Sequence, residues 1–235
     1  ISNMLHFNDL NTDRLNVVKL IFGIRSNVTE KDFLVYDEDT KFDLIVANPP
    51  YAKLLPNGKR ASKNHNMIGS FINKSLKILK EKGYLLYITP DNWMSFADRN
   101  TLIKTLTSLQ IIHINIHSAK KKYFKKVGSS FTWYLIENTP SYKDIVVEGT
   151  WKNKEYKSTV KSEERRFIPL FYNKLIQSII NKTIDKDNVK FEVLTSSDLH
   201  KYTKKKLISK DKDEEHPYKL IHTPSQTVYA SRPHK

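Results

Sequence analysis

The segment from Phe42 to Tyr51 constrains the fold of this chain more than any other. Phe42 to Ala47 is almost continuously apolar, which favours a strand buried on both faces of a parallel sheet. The run stops at Asn48-Pro49-Pro50-Tyr51, where the two prolines lack the amide hydrogens that a strand or helix needs. The chain must therefore leave the sheet at Asn48.

The segments on either side alternate between strand and helix patterns. We predict strands over residues 4–7, 28–35, 42–47, 84–89 and 111–116, with helices over 15–22, 70–83 and 98–109. Residues 129–137 and 145–148 are predicted to form a closing antiparallel hairpin. This order predicts an α/β fold with a mostly parallel, Rossmann-like sheet and right-handed crossovers.

Polar side chains follow several of these predicted strands. Asp9, Asp32 and Asn48 all lie near predicted carboxyl ends. Ligands of parallel sheets bind beyond the carboxyl ends of the strands. We therefore expect the functional site at this edge.

The pattern changes beyond Thr150, where the chain becomes lysine-rich and weakly periodic except for a predicted helix around residues 170–180. We place a domain boundary near Glu164, give or take ten residues, so that residues 1–164 form the first domain and 165–235 begin a second. The lysines at 204–206 could contact phosphates or could be a solvated charge run.

The chain carries 40 Lys and Arg against 25 Asp and Glu, a formal charge of +15. Such a surface attracts polyanions, and phosphate contacts release counterions whatever the base sequence. A lysine-rich genome would give the same charge without a nucleic-acid role, so charge alone decides little.

Other classes of site and location are disfavoured by composition. Without cysteine the chain has no disulfides or Cys-based metal sites, and its eight histidines show no metal-ligand spacing, so we expect no metal. No apolar run approaches the ~20 residues of a membrane span, and no signal peptide is visible. We expect a cytoplasmic protein, bacterial or virus-encoded.

Asp32-Phe33-Leu34, then Phe42 to Ala47 and the tetrapeptide, resemble in residues and spacing the central block of TaqI-like (Eco57I-type, gamma-class) adenine-specific DNA methyltransferases. The resemblance extends over roughly residues 4–180 and continues at 217–235, which are similar to the opening of that family's specificity domain. It implies a methyltransferase sheet that transfers a methyl group from S-adenosylmethionine to the amino group of an adenine flipped out of a specific DNA sequence, in a restriction-modification system.

The resemblance assigns catalysis to Asn48, Pro49, Pro50 and Tyr51. The lone pair of the adenine amino nitrogen is delocalised into the ring, so two acceptors around it, the Asn48 side-chain oxygen and the Pro49 carbonyl, would help it to attack a methyl sulfonium. Tyr51 offers a ring for stacking. The alternative is a rigid proline turn, and glutamine methyltransferases acting on proteins also carry this tetrapeptide.

The cofactor residues implied by the resemblance are Asp32 for the cofactor adenine, Phe33 and Phe71 beside it, and Asp9 for the ribose hydroxyls. A carboxylate can accept two such hydrogen bonds at once. Alternatives remain open: Asp32 as a turn residue, Phe71 as a core residue, Asp9 as a helix cap, and Asp13 as the ribose acid.

A second aromatic against the extruded base is assigned by resemblance to Phe124, with Tyr123 and Phe131 as alternatives. A sandwich between Tyr51 and Phe124 would replace part of the stacking that the base loses on leaving the duplex.

The chain departs from the family pattern at its start, because no glycine-rich loop precedes Asp9. We expect that this cofactor loop lies upstream of Ile1; a decayed or split enzyme is the alternative. The predicted partners are double-stranded DNA and, as a candidate, a cognate restriction endonuclease, and we expect a monomer. The competing functions are an RNA or protein amino methyltransferase and a noncatalytic DNA-binding subunit.

Overall fold

A computed structural model describes residues 4–23, 27–36, 39–52, 55, 67–95, 101–118, 123, 130–151, 154–163, 165, 167–183, 208–223 and 226–231. The chain divides into two compact units, Ile1–Lys182 and Thr183–Lys235. Each unit is considered by itself below.

Up to residue 183 strands and helices alternate, as the sequence predicts. The strands are β1 (His6–Asn8), β2 (Asn27–Thr29), β3 (Phe42–Ala47), β4 (Leu79–Pro90), β5 (Leu109–Ile116), β6 (Phe131–Pro140), β7 (Ile145–Trp151) and β8 (Lys154–Val160). The helices are α1 (Thr12–Phe22), α2 (Met67–Ile78), α3 (Thr101–Ser108) and α4 (Lys174–Thr183), with a short 3-10 helix at Asp91–Met94.

The main sheet has six strands in the order β3-β4-β6-β5-β7-β8. The pairs β3–β4 and β5–β7 are parallel, whereas β6 runs antiparallel to both β4 and β5. A separate parallel pair joins β1 to β2. The predicted α/β class with a largely parallel sheet is therefore confirmed, with β6 as the antiparallel strand inside it.

The pairing predicted for β6 and β7 is wrong, because β5 lies between them. The buried side chain of Gln110, at the start of β5, fixes the connection between them. Its Oε1 accepts from the amides of Tyr142 at 2.8 Å and Lys143 at 2.7 Å, and its Nε2 donates to the Lys143 carbonyl at 3.0 Å. The connection thus passes over β5, and the true hairpin is β7–β8.

β3 is the strand predicted from the apolar run, but it is not buried on both faces. It pairs with β4 alone among the described residues, and Leu44 and Val46 are 53% and 64% exposed. On its other face Ile45 and Ala47 pack against the core. The apolar composition therefore predicted the strand but not its position at the sheet edge.

Several boundaries also differ. β2 is only three residues long, because Asp32 starts a turn in which its carbonyl accepts from the Tyr36 amide at 2.8 Å. α2 starts at Met67 and ends at Ile78, and not near Gly83, because Leu79 already pairs with Phe42 in the sheet. β8 lies in the stretch that was read as weakly periodic.

α1 begins and ends where its sequence signals predict. The Asn11 side chain accepts from the Arg14 amide at 2.9 Å and caps the helix. Gly23, with a φ of 85°, follows the last turn and donates its amide to the Lys19 carbonyl. This helix fixes the chain directly after Asp9.

The core lies between the main sheet and its helices. Its fully buried members include Ile72 on α2, Leu106 on α3, and Leu85, Ile116 and Ile136 on the strands. Burial of this apolar surface is the main stabilising contribution to such a sheet.

The division between the units lies at Lys182, later than the boundary predicted near Glu164. α4 is held to the first unit by Gln177, which accepts from the Lys161 amide and donates to its carbonyl, each at 2.9 Å. The second unit contains an antiparallel sheet of β9 (Ile208–Ser209), β10 (Tyr218–Thr223) and β11 (Gln226–Ala230), in the order β10-β11-β9.

Candidate active site

A cavity of about 1140 Å³ opens along β3 and the carboxyl ends of the first strands. Eight of the nine residues predicted for the site line it: Asp9, Asp32, Phe33, Asn48, Pro49, Pro50, Tyr51 and Phe71. The ninth, Phe124, lies outside the described residues. Side chains that are far apart in the sequence therefore meet in one cavity.

Asn48 and Tyr51 are joined directly. The Tyr51 hydroxyl donates to the Asn48 side-chain oxygen, so this oxygen is oriented before any substrate arrives. Burial raises the pKa of Tyr51 to about 12, which keeps the hydroxyl protonated and able to donate. Asn48 itself is exposed to the cavity, whereas Pro49 is buried and anchors the turn.

The Tyr51 ring is supported from the antiparallel strand. Its centroid is 5.7 Å from that of Phe131, with the rings tilted by 54°. Phe131 is only 3% exposed, and it pairs with Pro90 at the end of β4. In this structure Phe131 therefore packs beneath Tyr51.

α2 is fastened beside the site by Tyr87 of β4. The Tyr87 hydroxyl lies 2.7 Å from Ser75 Oγ and donates to the Phe71 carbonyl at 3.3 Å. Burial raises the pKa of Tyr87 to about 12. The helix that carries Phe71 is thereby held against the sheet.

Asp9 lies directly after β1, as predicted, and its carboxylate is already engaged. Its Oδ1 accepts from the Asn11 amide at 2.8 Å, and Oδ2 is 3.1 Å from Arg14 NH1. The cap of α1 is Asn11 and not Asp9. Asp13, the competing acid, is an exposed residue in the first turn of α1 and is not part of the cavity lining.

Asp32, Phe33 and Phe71 form a second part of the lining. Asp32 Oδ1 accepts from the Leu34 amide at 2.9 Å, so this acid does stabilise a turn. The Phe33 and Phe71 rings are stacked with centroids 5.6 Å apart and planes at 11°. That spacing leaves no room for a third ring between them, so a purine would have to lie against an outer face or edge of the pair.

Sequence reasoning missed one pair at the same edge. Asp91 follows β4 and His117 follows β5, and Asp91 Oδ2 is 2.9 Å from His117 Nδ1. Both atoms are enclosed, although the ring N–H does not point straight at the carboxylate. His117 has a φ of 66°. Neither residue belongs to a motif that a single sequence would reveal.

Tyr123, an alternative for the second aromatic, is 59% exposed and lines a different cavity of about 490 Å³ with Trp133 and Glu148. Among the described residues, no helix is long and apolar enough to cross a membrane. In that same part of the chain, no three His, Asp or Glu side chains are placed to hold a metal ion.

The family model of the Eco57I restriction-modification methylase matches residues 4–124. The chain belongs to this family. An Eco57I-type methylase carries its methyltransferase domain on an α/β sheet of the kind described above, and the matched segment spans every described residue of the cavity lining except Phe131.

Individual relatives cover only part of their length. The Type II methyltransferase M.TthHB8I of Thermus thermophilus is 32% identical over 89 residues, which are 30% of this chain and 21% of that protein. The 25S rRNA (adenine(2142)-N(1))-methyltransferase of Saccharomyces cerevisiae is 29% identical over 116 residues, 46% of this chain and 32% of that one. The crystal structure of the type IIG restriction endonuclease BpuSI aligns with a TM-score of 0.49 at 15% identity, over 62% of this chain and 21% of that one. This chain thus spans about a fifth to a third of the relatives' own lengths.

Proposed function

We propose that the protein containing this chain transfers a methyl group from S-adenosylmethionine to the exocyclic amino group of an adenine in DNA. The observation that carries this proposal is the joined pair Asn48–Tyr51 in a cavity that also contains two carboxylates and a stacked aromatic pair. Membership of a restriction-modification methylase family supports DNA as the substrate.

Asn48 would act on the target nitrogen. Its oxygen accepts a hydrogen bond from the amino group, and the Pro49 carbonyl can accept a second. Two acceptors draw the nitrogen toward tetrahedral geometry and localise its lone pair for attack. Because the Tyr51 hydroxyl already orients Asn48, little reorganisation is needed during the reaction.

Tyr51 would hold the base. Its ring lines the cavity and is supported from behind by Phe131, so a flipped adenine can stack on a rigid surface. The second stacking aromatic proposed for Phe124 rests on resemblance alone.

The residues present fit the cofactor. The cavity exceeds the few hundred Å³ that small-molecule sites usually need. Asp9 would accept from the ribose hydroxyls, while Asp32, Phe33 and Phe71 would hold the adenine end. When bound, S-adenosylmethionine supplies an electrophilic methyl group on sulfur. Asp9 would have to share its carboxylate with Arg14, which lies largely in solvent and can move away.

RNA is the second candidate substrate, because one relative is named as an rRNA adenine methyltransferase. The formal charge of +15 would suit either nucleic acid. A noncatalytic DNA-binding role and a restriction endonuclease as partner remain the further alternatives from the sequence.

The test uses the intact protein with S-adenosylmethionine labelled on the methyl group, offered plasmid DNA and total RNA in parallel. We expect label in DNA as N6-methyladenine, identified by mass spectrometry of the nucleosides, and no transfer by Asn48→Ala. Label in RNA alone would support the second candidate, and a wild type that labels neither would exclude methyl transfer to nucleic acid.

DNA binding is measured separately. If basic residues neutralise several phosphates, affinity should fall by roughly 10³ or more between 50 and 200 mM salt. An affinity that stays flat across this range would contradict a phosphate-driven interface.

A further inference from the structure

We propose that the His117–Asp91 pair is a positioning device that aligns Asn48 through Phe131 and Tyr51. The proposal rests on the proposed function, because alignment of Asn48 matters only if Asn48 acts on the target nitrogen. Each link of this chain of contacts is a direct one in the structure.

The first link joins the pair to β6. The His117 amide donates to the Phe131 carbonyl at 3.2 Å, and the Asp91 amide donates to the Ser130 carbonyl at 3.3 Å. With the contact of 2.9 Å between the His117 ring and the Asp91 carboxylate, these bonds tie the ends of β4 and β5 to the start of β6. The main chain of Phe131 is therefore held from both sides.

The second link joins β6 to the tetrapeptide. The Phe131 ring is buried under the Tyr51 ring, and the Tyr51 hydroxyl donates to the Asn48 oxygen. A shift of Phe131 would therefore move the Tyr51 ring and, with it, the acceptor of the target amine. In catalytic sites, misplacement by about 1 Å can lower the rate about a hundredfold.

The backbone of His117 suggests that the pair is kept for a reason other than stability. A φ of 66° is unfavourable for residues with a Cβ, and glycine would adopt it without this cost. The side chains of His117 and Asp91 are only 20% and 19% exposed, so the pair is also partly desolvated. Strained positions of this kind cluster at functional sites.

The chain offers a matched control on the same strand. His113 Nε2 lies 3.3 Å from Glu148 Oε2, with the His113 side chain 23% exposed. This second pair does not line the cavity of Asn48. Loss of either histidine therefore removes a similar contact from β5, but only His117 is connected to Tyr51.

The experiment compares His117→Gly, His117→Asn and His113→Ala in the intact protein. Glycine relieves the backbone and removes the side chain, whereas asparagine tolerates positive φ and can still donate to Asp91. For His117→Gly we expect kcat to fall about tenfold or more, an unchanged KM for S-adenosylmethionine, and a thermal midpoint equal to or above that of the wild type. His117→Asn should stay within about threefold of the wild-type kcat, and His113→Ala should leave kcat unchanged.

A readout independent of activity accompanies the kinetics. Hydrogen exchange should quicken at the amides of residues 130–133 in His117→Gly and not in His113→Ala. The proposal is overturned if His117→Gly keeps wild-type kcat, or if its kcat falls together with a lowered midpoint and His117→Asn does not restore it. If the wild type itself transfers no methyl group, the proposed function is wrong, and the exchange comparison alone decides whether the pair holds β6.

Discussion

Removal of the Tyr51 hydroxyl should reduce the rate of methyl transfer modestly while leaving nucleic-acid binding intact. In the structure this hydroxyl donates to the Asn48 side-chain oxygen and stays protonated. Tyr51→Phe keeps the ring and its contact with Phe131 but leaves the Asn48 amide free to rotate. One net hydrogen bond is worth about 0.5–1.5 kcal/mol, so we expect the rate to fall about 2- to 13-fold.

Two further variants give the scale against which this loss is read. Asn48→Ala removes the acceptor itself and should cost on the order of 10² to 10³ in rate, with binding almost unchanged. Tyr51→Ala removes the stacking ring and should weaken binding by about 1–3 kcal/mol as well as slow the reaction. Tyr142→Phe is the matched control, because its hydroxyl donates to Glu137 at 2.9 Å and neither residue lines the cavity.

The assay is single-turnover methyl transfer to DNA by the intact protein, with binding measured by fluorescence anisotropy on the same duplex. The reasoning is refuted if Tyr51→Phe is as slow as Asn48→Ala, because the hydroxyl would then act on the substrate itself. It is also refuted if Tyr51→Phe is as fast as Tyr142→Phe, because the hydrogen bond to Asn48 would then have no role in alignment.

Three further predictions address the cofactor, pH and the fold. Asp9→Ala should weaken S-adenosylmethionine binding about ten- to hundredfold by calorimetry, whereas Asp13→Ala should not, since only Asp9 lines the cavity. Because the pKa of Tyr51 is about 12 in the folded chain and 10.0 ordinarily, its contribution to stability is complete below pH 10 and is lost as pH rises to 12; Tyr51→Phe should show a shallower decline of the thermal midpoint there. Gly149→Ala should lower the midpoint, since its Cβ would lie 2.7 Å from the Tyr156 ring and 2.8 Å from a β5 carbonyl, while Gly69→Ala, with no atom within 4 Å in α2, should raise it.

The strands and helices of the first unit could be predicted because their signals are local. β3, β5 and α1 follow from apolar spacing and from Asn11 and Gly23 at the helix ends. What could not be predicted was which strands are neighbours. The connection of residues 141–144 is short enough for a hairpin, but the carboxamide of Gln110 holds it over β5 instead. A bond between residues 32 positions apart leaves no periodic trace in the sequence.

The same distinction separates the parts of the site that were predicted from those that were missed. Asn48 and Tyr51 lie within four consecutive residues, so their chemistry is legible in one motif. Phe131 was considered only as an alternative stacking residue, and His117 was not considered at all. Both matter, if the proposals above hold, through contacts made across strands, and such contacts are defined only once the strand order is known.

The strand order itself explains why an antiparallel strand is useful at this site. The parallel strands β3 and β4 end at the same edge, and each leaves the sheet there, at Asn48 and Asp91. An antiparallel neighbour begins at that edge, so β6 brings Phe131 to it with its backbone already paired to Pro90. Phe131 is therefore held by sheet hydrogen bonds, whereas a residue after a parallel strand would depend on loop contacts. Because Tyr51 lies in such a loop, packing on a strand residue is what gives its ring, and through it Asn48, a fixed position. The tetrapeptide supplies the reactive groups, and we infer that β6 supplies the rigidity that makes them effective.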